Sequence, residues 1–284
     1  MLIFIQLLAL AAIIFFIYKA CTIIYNSTTD SPKPPEEEDK QAISFQVSYE
    51  FEKVERNYPL FDSTKIPITI YCIYKVRGKN PATNRMKTNS VVAKKGTPSN
   101  IITLKSKLLR PYTVTEYFEE PTILQADYAK NLNIKYGPTC SKTDISYLID
   151  RQLNGDFKNY ISNDIREYAA ENNVYISPYA DKIGGCRVAI ASLPPKERIV
   201  FFIYLIYCGI VKIPVGNLYN VKDYLIFYQY LETVPDIEEL GKFIKEHYTD
   251  RLARVGEVDR RNKQMVQLYD SIRKFLIVKM KIWG

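Results

Sequence analysis

Between Asp62 and Glu116 the chain carries Lys65, Lys75, Arg77, Lys79, Arg85, Lys87, Lys94, Lys95, Lys105, Lys107 and Arg110, and no acidic residue at all. A positive field unbroken over 53 residues favours partners that bear phosphate. The chemistry on offer is recognition: cations neutralise phosphate oxygens, and an aromatic ring among them supplies a flat face for a base. Tyr71, ahead of Lys75 and Arg77, holds that place. Charge of this kind also serves solubility alone, as on any basic protein surface.

Catalytic raw material is scarce. The single histidine, His247, lies late in a helical stretch, so Ser-His or Cys-His catalysis and histidine-rich metal sites have nothing to build on. Gly184-Gly185 lacks the Lys-Ser/Thr step of a phosphate-cradling loop. Acid pairs such as Glu119-Glu120 and Glu238-Glu239 fall at turns or on polar helical faces. The sequence is therefore read as non-enzymatic, with no catalytic residues, no cofactor and no metal.

The elements that position the cations begin at residue 41. Ile43, Phe45, Val47, Tyr49 and Phe51 alternate with polar residues, and Ile66, Ile68, Ile70, Cys72, Tyr74 and Val76 repeat that period of two. The turn formers Gly78 to Asn84 separate this second strand from a third near Thr88 to Ala93. Thr97-Pro98 then opens a short helix with Ile101, Leu104 and Leu108 on one face, and Tyr112 to Phe118 forms a last strand. Strand, strand, strand, helix, strand predicts a small sheet with one helix across it. Thr69, Tyr71, Ile73, Lys75 and Arg77 line the face opposite that helix. The hairpin segment Gly78 to Thr88 resembles the second hairpin of the three-stranded arm-binding domains of phage and transposon integrases.

Thr122 caps a helix carrying Ile123, Leu124, Tyr128 and Leu132, an extended stretch runs from Ile134 to Pro138, and Ser141 opens a second helix with Ile145, Leu148, Ile149 and Leu153. The ending Leu148-Ile149-Asp150-Arg151-Gln152-Leu153 completes a segment, residues 122 to 153, that resembles the SAP-like helix-extension-helix fold. That resemblance implies DNA or RNA contact at the N-terminus of the second helix through Lys135, Ser141 and Lys142. Asp127 and Asp144 depart from the pattern and dilute the positive field, and no glycine directly precedes the linker lysine.

Helical patterns fill the remainder: Asn163 to Asn172, Asp181 to Leu193, Lys196 to Val211, Val221 to Thr233, Asp236 to Tyr248 and Glu257 to Trp283. Between Arg198 and Lys212 the run IVFFIYLIYCGIV spans about 20 Å as a helix, too short for a bilayer, and reads as the buried centre of a bundle. Met265, Leu268, Ile272, Leu276, Met280 and Trp283 form one stripe of the last helix, suited to docking on its own bundle, a partner or anionic lipid.

Leu2 to Tyr25 is apolar apart from Gln6 and Lys19 and, at about 36 Å as a helix, is long enough for a membrane anchor. No Lys or Arg precedes it while Lys19, Lys33 and Lys40 follow, which predicts a cytoplasmic location for the soluble part. Cys21, Cys72, Cys140, Cys186 and Cys208 form no C-x-x-C pair and read as reduced thiols, in agreement with that side.

The expected chain is thus α+β. A transmembrane helix (1–26) and an acidic, disordered stalk (27–40) lead to a basic β-rich domain (41–118), a helix-extension-helix (119–156) and a helical domain (157–284). Its expected partners are the membrane, through a single span, and DNA or RNA. The alternative is a membrane-associated scaffold whose basic face meets anionic lipid and whose helical domain holds a protein.

Overall fold

The computed structural model describes residues 58–155 and 159–282. The N-terminal anchor, the stalk, the strand expected over 43–51 and Trp283 lie outside the described residues. What is described is a mixture of helix and sheet, in the α+β class.

β2 (Tyr71–Lys79), β3 (Met86–Lys94) and β4 (Leu109–Tyr117) form an antiparallel sheet in the order β3-β2-β4, while β1 (Phe61–Asp62) pairs in parallel with β5 (Ile134–Lys135). The period of two holds along β2, where Cys72, Tyr74, Val76 and Gly78 are buried and Tyr71, Ile73, Lys75 and Arg77 point the other way. Cys72, Tyr74 and Val76 pack with Val91 and Ala93 of β3, Ile102 of helix α1 (Ser99–Ser106) and Leu108. Gly78 sits at a register shift, where a Cβ would meet the Leu109 carbonyl oxygen at 2.9 Å.

Two expectations for this region need correction. The second strand starts at Tyr71, not Ile66: Pro67 has no N–H to donate, and Ile66 and Ile68 pack on a different cluster around Phe61, Leu132 and Ile134. In α1, Leu104 is 79% exposed and Ile101 also faces out, whereas Ile102, Thr103 and Ser106 face in. The inward hydroxyls are satisfied locally: Thr103 donates to the Ser99 and Asn100 carbonyls and Ser106 to that of Thr103. The N-cap is Pro98, while the Thr97 hydroxyl bonds to the Lys94 carbonyl.

Helices α2 (Ile123–Asn131) and α3 (Lys142–Asn154) each open on a complete capping box, from Thr122 with Gln125 and from Ser141 with Asp144. Ile145, Leu148 and Ile149 of α3 pack with Ala129, Leu132 and Ile134. Of the apolar positions expected for α2, Leu132 packs inward, whereas Ile123 and Leu124 are 81% and 82% exposed and the small Ala129 makes the close contact. Leu153 is likewise exposed.

The helical body comprises α4 (Asn163–Glu171), α5 (Lys182–Ser192), α6 (Pro195–Val211), α7 (Leu225–Gln229), α8 (Ile237–His247), α9 (Arg251–Val255) and α10 (Lys263–Lys279). Ile199 to Ile206 of α6 are buried without a break, so the apolar run is the centre of the main core. Among the described residues no helix is long and apolar enough to cross a membrane. Arg198, also buried, donates to the carbonyls of Ile190, Leu193 and Gly241.

The helix expected over Val221 to Thr233 is broken into α7 followed by a 3₁₀ turn at Tyr230–Thr233. Tyr219, just before it, meets Tyr168 edge-on, and Phe227 lies tilted against Tyr204 and Tyr207. The last predicted helix starts later, at Lys263. Before it, Gly256 (φ +75°) ends α9 against Gly209 of α6, and a Cβ on Gly256 would come within 2.6 Å of the Gly209 Cα. Met265, Ile272 and Leu276 of α10 are buried in the main core. His247 is exposed, with its ring stacked on Phe243.

Candidate functional site

Strand register puts the cations of β2 in a column. On the face away from α1 the successive rows are Val92-Ile73-Tyr117, Ser90-Lys75-Thr115, Thr88-Arg77-Thr113 and Met86-Lys79-Leu109. Lys75, Arg77 and Lys79 therefore run down the middle strand about 7 Å apart. Ser90, Thr88, Thr115 and Thr113 flank them with hydroxyls on both sides. Lys75 Nζ lies 4.5 Å from the centre of the Tyr117 ring, which steadies it over the sheet. Arg85 lies at the hairpin tip, which is closed by Asn80 N–H donating to the Arg85 carbonyl at 2.8 Å, whereas Lys87, paired with Gly78, points to the α1 side.

Among the described residues, Lys75, Arg77, Lys79, Arg85, Lys87, Lys94, Lys105 and Lys107 have no ion-pair partner. Lys105 and Lys107 lie at the end of α1, on the other side of the sheet from the column. Lys95 is 4.0 Å from Glu116, at the opposite end of the sheet from the tip. The structure thus brings Lys75, Arg77 and Lys79 together, with Arg85 near the tip, and sets Lys87, Lys94, Lys95, Lys105 and Lys107 apart from them.

Tyr71 is not an open platform. It is half-buried, and the Arg166 guanidinium carbon lies 5.1 Å from its ring centre. The aromatic ring that stands beside the cation column is Tyr117, whose exposed side chain could stack a base.

At the start of α3 the groups singled out by the SAP-like resemblance are engaged within the fold. The Ser141 hydroxyl and N–H donate to the Asp144 carboxylate at 2.8 and 2.9 Å. Lys142 Nζ donates to Glu119 at 3.1 Å and its N–H to the Glu119 carbonyl, while Lys135 pairs with Asp62 at 3.7 Å. Two carboxylates already stand where a phosphate would approach the helix end.

A second feature lies between the start of β2, the end of β4 and α4: a cavity of about 250 Å³. Its apolar wall includes Ile70, Ile73, Phe118 and Pro178, and its polar wall includes Ser141, Asp144, Arg166 and Tyr175. Asp144, buried, accepts from the Tyr175 hydroxyl at 3.1 Å as well as from Ser141. Burial pushes the Tyr175 phenol up, and the Asp144 charge beside it pushes the same way. Arg166 is 2% exposed. It donates through Nε to the Ile176 carbonyl (3.3 Å) and through Nη1 to Asn163 Oδ1 (3.1 Å), but Nη2 meets no acceptor among the described residues. Burial holds this guanidinium below the ordinary arginine range.

No family model matches the chain, and no curated protein and no solved structure is similar to it. The site is therefore read from its own residues. Sequence reasoning missed Arg166, because a lone arginine in a helix is ordinarily counted as surface. The available signal was its place beside Ile165 and one turn from Ala169 and Ala170, on the stripe that α4 buries.

Proposed function

We propose that this chain is a non-enzymatic, membrane-tethered protein that binds nucleic acid through phosphates, using Lys75, Arg77 and Lys79 with Arg85 of the adjoining hairpin. The apolar run Leu2 to Tyr25 is the tether, with the soluble part on the cytoplasmic side. The observation that carries the reading is the unpaired cation column, flanked by hydroxyls, on a sheet face free of acid. Cations on one rigid strand meet a run of phosphates without further ordering cost, and the neighbouring hydroxyls donate to the same oxygens. Contacts of this kind are tolerant of sequence.

One observation favours a second reading, contact with an anionic bilayer surface. Met86 and Leu109, 49% and 52% exposed, flank Lys79 in the last row of the face. Apolar side chains set among cations suit a headgroup layer.

The test uses the full chain in neutral-lipid nanodiscs, titrated with labelled single- and double-stranded oligonucleotides by fluorescence anisotropy over a salt series. Changing Lys75, Arg77 and Lys79 to Gln should lower the single-strand salt slope by about 2, since each phosphate contact contributes roughly 0.7. An absence of binding at low salt would sink the nucleic-acid reading. Anionic liposomes are the competitor. If they displace the oligonucleotide from the wild type but not from a Met86→Ser/Leu109→Ser variant, the tip is a lipid contact.

A further inference from the structure

We propose that the cavity beside Arg166 is a binding site for a small organic acid, with its carboxylate on Nη2 of Arg166 and its apolar body against Ile70, Ile73 and Phe118. The cavity adjoins the cation column at Ile73 and Tyr117 but uses none of Lys75, Arg77 and Lys79.

The polar groups of the cavity decide the charge of the occupant. Glu116 has Lys95, Glu119 has Lys142, and Asp144 has Ser141 and Tyr175. Among the buried side chains described in the lining, Arg166 alone has an unmet donor, and its two acceptors, the Ile176 carbonyl and the Asn163 side chain, are both neutral. Asp144 acts on this guanidinium only at a distance, and a buried guanidinium nitrogen with no acceptor within hydrogen-bond reach is met best by an anion whose planar carboxylate suits its fork. Glu116, Glu119 and Asp144 also line the space, so a doubly charged phosphate ester would meet three carboxylates with only Arg166 and the Glu116-paired Lys95 to offset them. One negative charge fits that balance.

The space decides the size. A cavity of about 150 Å³ admits benzene, so one of about 250 Å³ holds a body of about ten non-hydrogen atoms. Ile70, Ile73, Phe118 and Pro178 give that body an apolar wall. Ordered water filling the space and capping Nη2 is the competing arrangement, and the experiment separates the two.

The full chain in detergent micelles is titrated with benzoate, benzamide and phenyl phosphate, following the unfolding temperature and binding heat. Benzoate should bind saturably and raise the unfolding temperature, with benzamide weaker by about tenfold or more, and phenyl phosphate should give no response. Arg166→Met should remove the preference for benzoate over benzamide. Because that change touches a buried group, Ile73→Phe serves as a second variant. It keeps the guanidinium, fills the space, and should abolish benzoate binding while the protein stays folded. The proposal is overturned if wild type ignores benzoate into the millimolar range, which leaves water as the occupant, or if Ile73→Phe binds it unchanged.

Discussion

Cys72, Cys186 and Cys208 are free thiols in the protein interior, and burial pushes them up to about 11, 12 and 11 respectively. A thiol held protonated by the fold binds its proton more tightly there than in the unfolded chain. Its contribution to stability is therefore complete below about 9, the unfolded value, and is lost as pH rises toward the folded value. The urea midpoint should stay level through neutrality and fall above about 9, and peptide-resolved alkylation at mildly alkaline pH should leave Cys186 and Cys208 unmodified until the helical body unfolds and Cys72 unmodified until the sheet opens. Rapid labelling of any of them in the folded chain would contradict their placement. Buried arginines follow the same logic of desolvation with different outcomes. Arg198 gives all three of its nitrogens to carbonyls, whereas Arg166 keeps one without an acceptor, at a cost of about 1–3 kcal/mol for an unmet buried donor. That asymmetry is why Arg166, and not Arg198, points to a ligand.

Among elements, α3 is where the SAP-like resemblance and the geometry part company. Its first turn is closed by Ser141 and Asp144, so Ser141→Ala should cost about 1 kcal/mol of stability by denaturant titration. Oligonucleotide affinity should not change. A severalfold loss of affinity in a variant that still folds would put the α3 N-terminus back among the contacts. The capping box itself was legible in the sequence, as were the alternation along β2, the hairpin turn and the buried centre of α6. What could not be read was which way the short helices face. In α1 and α2 the buried positions are Ile102, Thr103, Ser106 and Ala129, and the exposed ones include Leu104, Ile123 and Leu124, so hydropathy does not pick the face. Small or locally hydrogen-bonded residues permit close approach, and eight or nine residues give too short a stripe for apolar side chains to decide the face. The cation column was legible because it follows from period two on one strand. Its companion Tyr117 was not, since it reaches Lys75 only through the register of β4, and the cavity draws on segments that lie far apart in the chain.

At the scale of the whole described structure, the cores are unequal. Among the described residues the core between the sheet and α1 has seven buried apolar side chains, whereas the main core has thirty-two, nine of them on α6 itself. Opening free energy follows the buried apolar area that must be exposed, so the sheet should open well before the helical body. Amide hydrogen exchange in the full chain should show β2, β3 and β4 exchanging through an opening of lower free energy than α6, with low concentrations of urea accelerating the sheet first. The cation column sits on the more weakly held part, which couples this property to binding. A polyanion that bridges Lys75, Arg77 and Lys79 stabilises only the closed sheet, and mass action must then slow exchange there while leaving α6 unchanged. If a saturating oligonucleotide instead protected α10 and left β2 and β3 as they were, the phosphate-binding surface would lie on the helical body and not on the sheet.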